Sequence, residues 1–256
     1  MIIDFHAHPG YSRDLHTLQE EFRTALRAAD YHGVHRICLS SLADWRESPS
    51  PRSVRHGNDH VLALISDYPD RVIGFCYVNP RYPEEALREI NRCIVQEGMS
   101  GIKLWISCKA SDAMIDPIAR RAAELRVPIL QHAWHNVLGQ KKGESTAADV
   151  ARLAVRHPRT MIVMAHLSGV GERGLADIAP HENLSIDVAG GEPEAEMVEL
   201  AVSRLGARRV VFGTDSPIRS YGATIGKVMS ARLSARERRL ILGGNAERLL
   251  GGKLAR

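Results

Sequence analysis

Short apolar runs recur along the chain and alternate with longer amphipathic segments. The runs are rich in Ile, Val and Leu, and each is too short to form a typical helix, so they predict strands. They cover residues 2–6, 34–40, 71–78, 101–106, 128–132, 160–166, 184–188 and 209–215. Polar or charged residues end most of them, which predicts that each strand leads into a surface loop.

The segments between the runs carry helix start and stop residues. Thr17 followed three positions later by Glu20 predicts a capping box, and Pro83-Glu84-Glu85 predicts a helix start with Gly98 beyond the helix end. Further helices are predicted over residues 58–68, 112–125, 146–156 and 194–205, and from Ser234 onward with an interruption at Gly243-Gly244. Strand and helix therefore alternate along the whole chain.

Eight repeats of strand and helix predict a parallel sheet with right-handed connections. Eight such units in about 250 residues is the usual size of a closed (β/α)₈ TIM barrel. An open doubly wound sheet is the competing fold, but no Gly-x-Gly-x-x-Gly follows the first run. We find no linker or change in composition, so residues 1–256 are predicted to form a single α/β domain.

Composition narrows the classes of function. The 256 residues include 34 basic and 30 acidic side chains, which are interleaved and give a net charge of +4, so nucleic acid is not an expected partner. Four cysteines are widely spaced without a CxxC pair, which predicts free thiols and a reducing, cytoplasmic environment. We expect neither a signal peptide nor a membrane span, since no run approaches ~20 apolar residues.

Two histidines one residue apart end the first run. Residues i and i+2 share a face of a strand, so the rings of His6 and His8 are expected to point the same way. Two neutral imidazoles on one face suit a divalent metal better than an apolar core. The pair alone leaves the choice between these two roles open.

Three further runs end in residues of the same chemistry. His132 ends the fifth, His166 the sixth and Asp215 the eighth. Taken singly, each is as well explained by an ordinary hydrogen-bonded histidine or a turn aspartate. All the carboxyl ends of strands in a TIM barrel meet at one mouth, so together these residues predict a metal site there.

The order of motifs resembles the amidohydrolase superfamily, and more closely its amidohydrolase-related (amidohydrolase 2) branch. The resemblance covers nearly the whole chain. Its motifs are Asp4-x-His6-x-His8, the segments 58–59 and 68–71, Gly101-Ile102-Lys103-Leu104, residues 127–132, Ala165-His166-Leu167-Ser168-Gly169, residues 212–217 and residues 241–249.

This resemblance implies a mononuclear site in which His6, His8, His132 and Asp215 bind one divalent metal, most simply Zn²⁺, with Mn²⁺ or Co²⁺ as alternatives. Asp215 would also accept a proton from a metal-bound water. His166 would act as a general acid or base or would polarise the substrate, unless it is itself a ligand. Asp4 is expected to support the site through hydrogen bonds.

Further residues are candidates to bind a second metal or to line a substrate pocket. Lys103 either carries a carboxylated side chain that bridges two metals, as in binuclear relatives, or pairs with a carboxylate of the protein or substrate, which we favour. Arg46, Trp134 and His135 follow strands and are candidates to line a substrate pocket, although they could be ordinary loop residues. Asp187 is a weaker pocket candidate.

The expected function is hydrolysis of an amide, ester or lactone bond in a small organic substrate by metal-activated water. The alternative is non-oxidative decarboxylation of an aromatic or unsaturated acid, because this branch contains both reactions. The shortness of the chain favours hydrolysis weakly. A barrel without catalysis would need none of the polar strand ends, and a nuclease would not need so dispersed a charge. A homodimer is the expected assembly.

Overall fold

A closed ring of parallel strands lies at the centre of the molecule. The computed structural model describes residues 1–191 and 194–251. Within them the strands pair in the order β1 to β8. They are β1 (Ile2–Ala7), β2 (Val34–Leu39), β3 (Val72–Tyr77), β4 (Gly101–Leu104), β5 (Ile129–Gln131), β6 (Ile162–Met164), β7 (Leu184–Asp187) and β8 (Val210–Val211). The predicted (β/α)₈ TIM barrel is confirmed.

Hydrogen bonds between the first and last strands close the ring. The N–H of Phe5 donates to the carbonyl oxygen of Phe212 at 2.9 Å, and the N–H of His8 donates to Ser216 O at 2.7 Å. Ala7 and Ser216 form an isolated parallel bridge. The loops after β1 and β8 are thereby joined side by side.

Helices cover the outside of the barrel. They are α1 (Leu15–Tyr31), α2 (Pro51–Asp67), α3 (Pro83–Ile90), α4 (Asp116–Leu125), α5 (Ala147–Arg156), α6 (Leu167–Ile178), α7 (Met197–Leu205), α8 (Tyr221–Ser230), α9 (Ala235–Arg239) and α10 (Asn245–Leu250). Alternate strand residues such as Ile3 and Phe5, or Ile73 and Phe75, fill the barrel interior. A larger apolar cluster lies between strands and helices.

Several predicted boundaries differ from the structure. The predicted capping box at Thr17 is wrong: α1 begins at Leu15, and Asp14 caps it by accepting a hydrogen bond from Thr17 N at 2.9 Å. The second helix starts at Pro51 rather than at residue 58, because Ser50 caps it there. Helices α6 and α8 were not predicted. Glycines at 169, 171, 174, 222 and 226 dilute their apolar pattern.

The interior contains no cross-links. Cys38, Cys76, Cys93 and Cys108 are all buried free thiols, as predicted. In the described part of the chain, no helix combines the length and apolar character needed to cross a bilayer.

Candidate metal centre

Three predicted ligands meet at the carboxyl end of the barrel. His6 lies on β1, His8 follows it, and Asp215 lies four residues beyond β8. One ligand atom from each lies within 4.8 Å of the others, and all three side chains are buried. Asp215 Oδ1 is 3.2 Å from His8 Nε2 and 3.4 Å from His6 Nε2.

The junction of β1 and β8 holds this group together. The N–H of Asp215 donates to the carbonyl oxygen of His6 at 2.7 Å. Asp215 has φ of +64°, a conformation that is strained for a residue with a side chain. Backbone strain at a residue of this kind is typical of functional positions, and here it accompanies the placement of the carboxylate between two rings.

Asp187 at the end of β7 orients His6. Its Oδ2 lies 2.8 Å from His6 Nδ1, so Nδ1–H donates to the carboxylate and Nε2 is left with a lone pair. Burial, and then the charge of Lys103, lower the pKa of His6 to about 3 although Asp187 opposes them. The ring is therefore neutral at pH 7, the state that binds metal.

A carbonyl group performs the same task for His8. His8 Nδ1 lies 2.7 Å from the carbonyl oxygen of Ser40, which accepts its hydrogen. That leaves Nε2 of His8 to face Asp215. Burial raises the pKa of Asp215, but the nearby imidazoles of His166, His6 and His8 outweigh it and hold the pKa well below its ordinary value. Two imidazole nitrogens and one carboxylate are a donor set that suits Zn²⁺ or Mn²⁺.

His132 lies beside this group without joining it. Its Nε2 is 3.1 Å from Oε1 of Glu144, a buried residue of the loop between β5 and α5. Gln140 Nε2 donates to the other carboxylate oxygen at 3.1 Å. Burial lowers the pKa of His132 to about 4, so this ring is also neutral at pH 7. The role of His132 as a fourth ligand stays a prediction, since Glu144 competes for its nitrogen.

His166 faces the open side of Asp215. Its Nε2 is buried without a hydrogen-bond partner and lies 3.6 Å from Asp215 Oδ2. Nδ1 lies 3.2 Å from the carbonyl oxygen of Ala133, and the backbone N–H donates to Asp187 Oδ1 at 2.8 Å. These bonds hold the ring in place with one nitrogen available for proton exchange.

Lys103 reaches the same centre from β4. Its side chain is buried, and its Nζ donates to His6 Nε2 at 2.8 Å. Burial lowers the pKa of Lys103 to about 8, while Asp215 and Asp187 oppose the shift. Asp4 lies apart from the ligand group: Thr214 Oγ1 and the N–H groups of His6 and Thr214 donate to its carboxylate. This is the supporting position expected from the sequence.

Aromatic side chains surround the mouth. Trp45 lies 5.6 Å from the ring of His8, Trp134 lies 5.3 Å from that of His166, and Trp45 contacts Trp105 at 6.1 Å. The ring of Tyr11 lies 5.2 Å from that of Trp45. The chain contains three tryptophans, and all of them lie here.

The remaining predicted pocket residues are less well placed. The Arg46 side chain is 72 % exposed and pairs with Asp44 at 3.3 Å, and His135 is exposed on the β5–α5 loop. Sequence reasoning did not select Glu144 or Trp105. Glu144 lies in a loop with no periodic pattern, whereas the position of Trp105 directly after a strand could have identified it.

Two curated relatives share sequence with most of the chain. A 2-amino-3-carboxymuconate-6-semialdehyde decarboxylase of Dictyostelium discoideum is 23% identical over 76% of this chain. The matched region covers 65% of the length of that protein. A gamma-resorcylate decarboxylase of Polaromonas is 22% identical over 88% of this chain and 85% of its own. Both names specify decarboxylation, so the expectation of hydrolysis is wrong and its alternative is the better supported reaction.

The fold has solved counterparts. A dihydroxybenzoic acid decarboxylase from Polaromonas, with bound manganese and the inhibitor 2-nitroresorcinol, superposes with a TM-score of 0.80 at 19% identity, over 100% of this chain and 97% of its own. The family model described as Amidohydrolase matches residues 3–252. With its barrel and its polar strand ends, this chain belongs to the amidohydrolase family.

Proposed function

We propose that this protein is a metal-dependent, non-oxidative decarboxylase of a planar aromatic or unsaturated carboxylic acid. Decarboxylation by both curated relatives supports the reaction. Grouping of His6, His8 and Asp215 at the barrel mouth supports the metal dependence.

The position of the three tryptophans carries the proposal for a planar substrate. Trp45 and Trp134 contact the rings of His8 and His166 from different loops, so both indoles lie beside the ligand group that a substrate must reach. Aromatic pairs gain about 0.5–1.5 kcal/mol beyond burial of their area. An aromatic substrate gains this free energy at each contact with an indole, whereas a saturated ring does not stack on an indole.

The metal would be held by His6, His8 and Asp215, with His132 as the fourth ligand once its nitrogen leaves Glu144. Mn²⁺ and Zn²⁺ both suit nitrogen and carboxylate ligands, and the manganese of the Polaromonas structure favours testing Mn²⁺ first. When bound, such an ion acts as a Lewis acid and orients an oxygen of the substrate.

Residues of the chain must supply a proton. The carbon–carbon bond to the carboxylate breaks, carbon dioxide leaves, and the carbon that carried it takes up one proton. His166 is suited to deliver it, because its Nε2 is free of other hydrogen bonds and faces Asp215. The ring of His166 is buried and packs against Trp134, which limits access of water that would compete for the proton.

The test uses protein loaded with Mn²⁺, Zn²⁺ or Co²⁺ and a panel of acids that includes 2,6-dihydroxybenzoate, 4-hydroxybenzoate and cyclohexanecarboxylate. Carbon dioxide release is measured directly, and loss of the acid is followed by chromatography. We expect release from an aromatic acid, none from the saturated ring, and none in Asp215→Ala. Consumption of a substrate without carbon dioxide, or no turnover with any metal and any unsaturated acid, would overturn the proposal.

A further inference from the structure

Arg219 is a half-buried cation near the metal centre that forms no ion pair with any described carboxylate. Among residues 1–191 and 194–251, no carboxylate lies within ion-pair distance of its guanidinium, and its Nε is buried without a hydrogen-bond acceptor. A buried donor without an acceptor is unfavourable, and more so when it is charged. Such a group is commonly completed by a ligand.

Arg219 lines a groove next to the loops that follow His8 and Asp215. The groove has a volume of about 460 Å³ and lies between α1 and the loop after β8. Gly10, Tyr11 and Ser216 also line it, and they belong to the two loops that follow His8 and Asp215. Small-molecule sites have volumes of about 300–1,000 Å³, so the groove can hold part of a substrate whose other end lies at the metal ligands.

The other charged group of the groove is already occupied. Glu21 also lines it, but its Oε2 accepts hydrogen bonds from the N–H groups of Tyr11 at 2.7 Å and Ser12 at 3.1 Å. The carboxylate of Glu21 therefore holds the loop after β1 in place and forms no ion pair with Arg219.

Tyr11 connects the groove to the metal centre. Its ring lies over Trp45, and burial, followed by the charge of Asp215, raises the pKa of its hydroxyl, whereas the charge of Arg219 opposes the shift. Backbone geometry makes the same connection, because the N–H of Arg219 donates to the carbonyl oxygen of Asp215 at 3.2 Å. A substrate that passes Tyr11 would thus have one end at Asp215 and the other at Arg219.

We propose that Arg219 binds a second carboxylate of the substrate, distinct from the one that leaves as carbon dioxide. The natural substrate would then be an unsaturated dicarboxylic acid. Arg suits this task because its planar fork donates two parallel hydrogen bonds to a carboxylate. The inference rests on the proposed decarboxylation for its identification of the leaving group.

Binding measurements on the metal-loaded protein test the inference without requiring turnover. Tryptophan fluorescence reports the affinities for benzene-1,3-dicarboxylate and for benzoate in the parent, Arg219→Gln, Arg219→Lys and Arg23→Gln. Arg23 is an exposed residue of α1 and serves as the matched control. We expect Arg219→Gln to weaken dicarboxylate binding about 10- to 100-fold, with benzoate unchanged and Arg219→Lys intermediate.

Equal weakening of both ligands, or an unchanged dicarboxylate affinity in Arg219→Gln at equal metal content, would overturn the inference. With an active substrate, KM should rise while kcat changes little. Failure of the proposed function is recognised separately: no carbon dioxide is released, yet Arg219 still distinguishes the two acids. Conversely, carbon dioxide release with an Arg219→Gln variant that binds normally refutes only the role of Arg219.

Discussion

The orientation of each histidine in the ligand cluster is set by a group that is not itself a predicted ligand. Asp187 accepts the Nδ1 hydrogen of His6, and a backbone carbonyl accepts that of His8. Each bond selects the tautomer whose Nε2 faces Asp215. The sequence marked the two histidines through their spacing, but nothing in it distinguished Asp187 from other aspartates at strand ends.

Replacing His166 and replacing Asp215 should have different effects on turnover and metal content. We expect His166→Ala to lower turnover about 10²- to 10⁴-fold and to retain most of the metal, because its role is proton transfer. Asp215→Ala should lose activity and also bind metal more weakly, since its carboxylate lies between both rings. Metal content and turnover are measured on the same samples. Loss of metal from His166→Ala would show it to be a ligand.

Replacing Lys103 tests how many metal ions the centre binds. Its ammonium group lies 2.8 Å from His6 Nε2, so it competes with a cation for the same lone pair. We expect Lys103→Met to bind a single divalent ion several-fold more tightly than the parent, as measured by competition with a chelator. Two ions per chain in the parent and one or none in the variant would instead indicate a carboxylated lysine that bridges two metals.

At the scale of elements, the site consists of loops that follow strands. The loops after β2, β4 and β5 contain Trp45, Trp105 and Trp134. Helix α6 packs against the ring of Trp134. A Cβ added at Gly169 would lie 2.4 Å from Cε3 of Trp134, so this glycine permits close contact between ring and helix. Neither the contact nor helix α6 was predicted, because loop packing follows no period in the sequence.

Gly169→Ala should therefore displace Trp134 without unfolding the barrel. We expect several-fold weaker binding of an aromatic acid and a changed tryptophan spectrum. Gly226→Ala is the matched control: Gly226 lies in α8 with open space around its Cα, so this change should leave binding intact. The comparison uses far-ultraviolet circular dichroism for the fold and fluorescence titration for the ligand. Unaltered binding in Gly169→Ala would show that Trp134 does not contact the substrate.

At the scale of the whole molecule, a buried polar centre links stability to pH. His6 and His132 have pKa values lowered to about 3 and about 4, chiefly by burial, so the unfolded chain binds more protons than the fold below pH 6.5. Their stabilising effect is complete above that pH and is lost as the pH falls. Asp4, whose pKa burial raises to about 7, has the opposite effect and offsets part of this loss.

We expect the metal-free protein to lose stability as the pH falls from about 6.5 toward 4, with each histidine contributing up to about 1.4 kcal/mol per pH unit. Urea unfolding at several pH values measures the slope. His132→Gln should flatten it, whereas replacing the exposed His16 with Gln should not. A slope of opposite sign would mean that Asp4 dominates.

The residue pattern alone was enough to predict the barrel and the polar residues that follow its strands, because hydrophobic periodicity depends on local residue choice. His6, His8 and Asp215 could be predicted as neighbours since all parallel strands point their carboxyl ends to one mouth. Packing in the folded chain was needed to show that Glu144 contacts His132, that Asp187 orients His6, that the three tryptophans lie at one mouth, and that Arg219 has no ion-pair partner among the described residues. Those contacts join loops far apart in the chain, and their geometry depends on packing that no local pattern encodes.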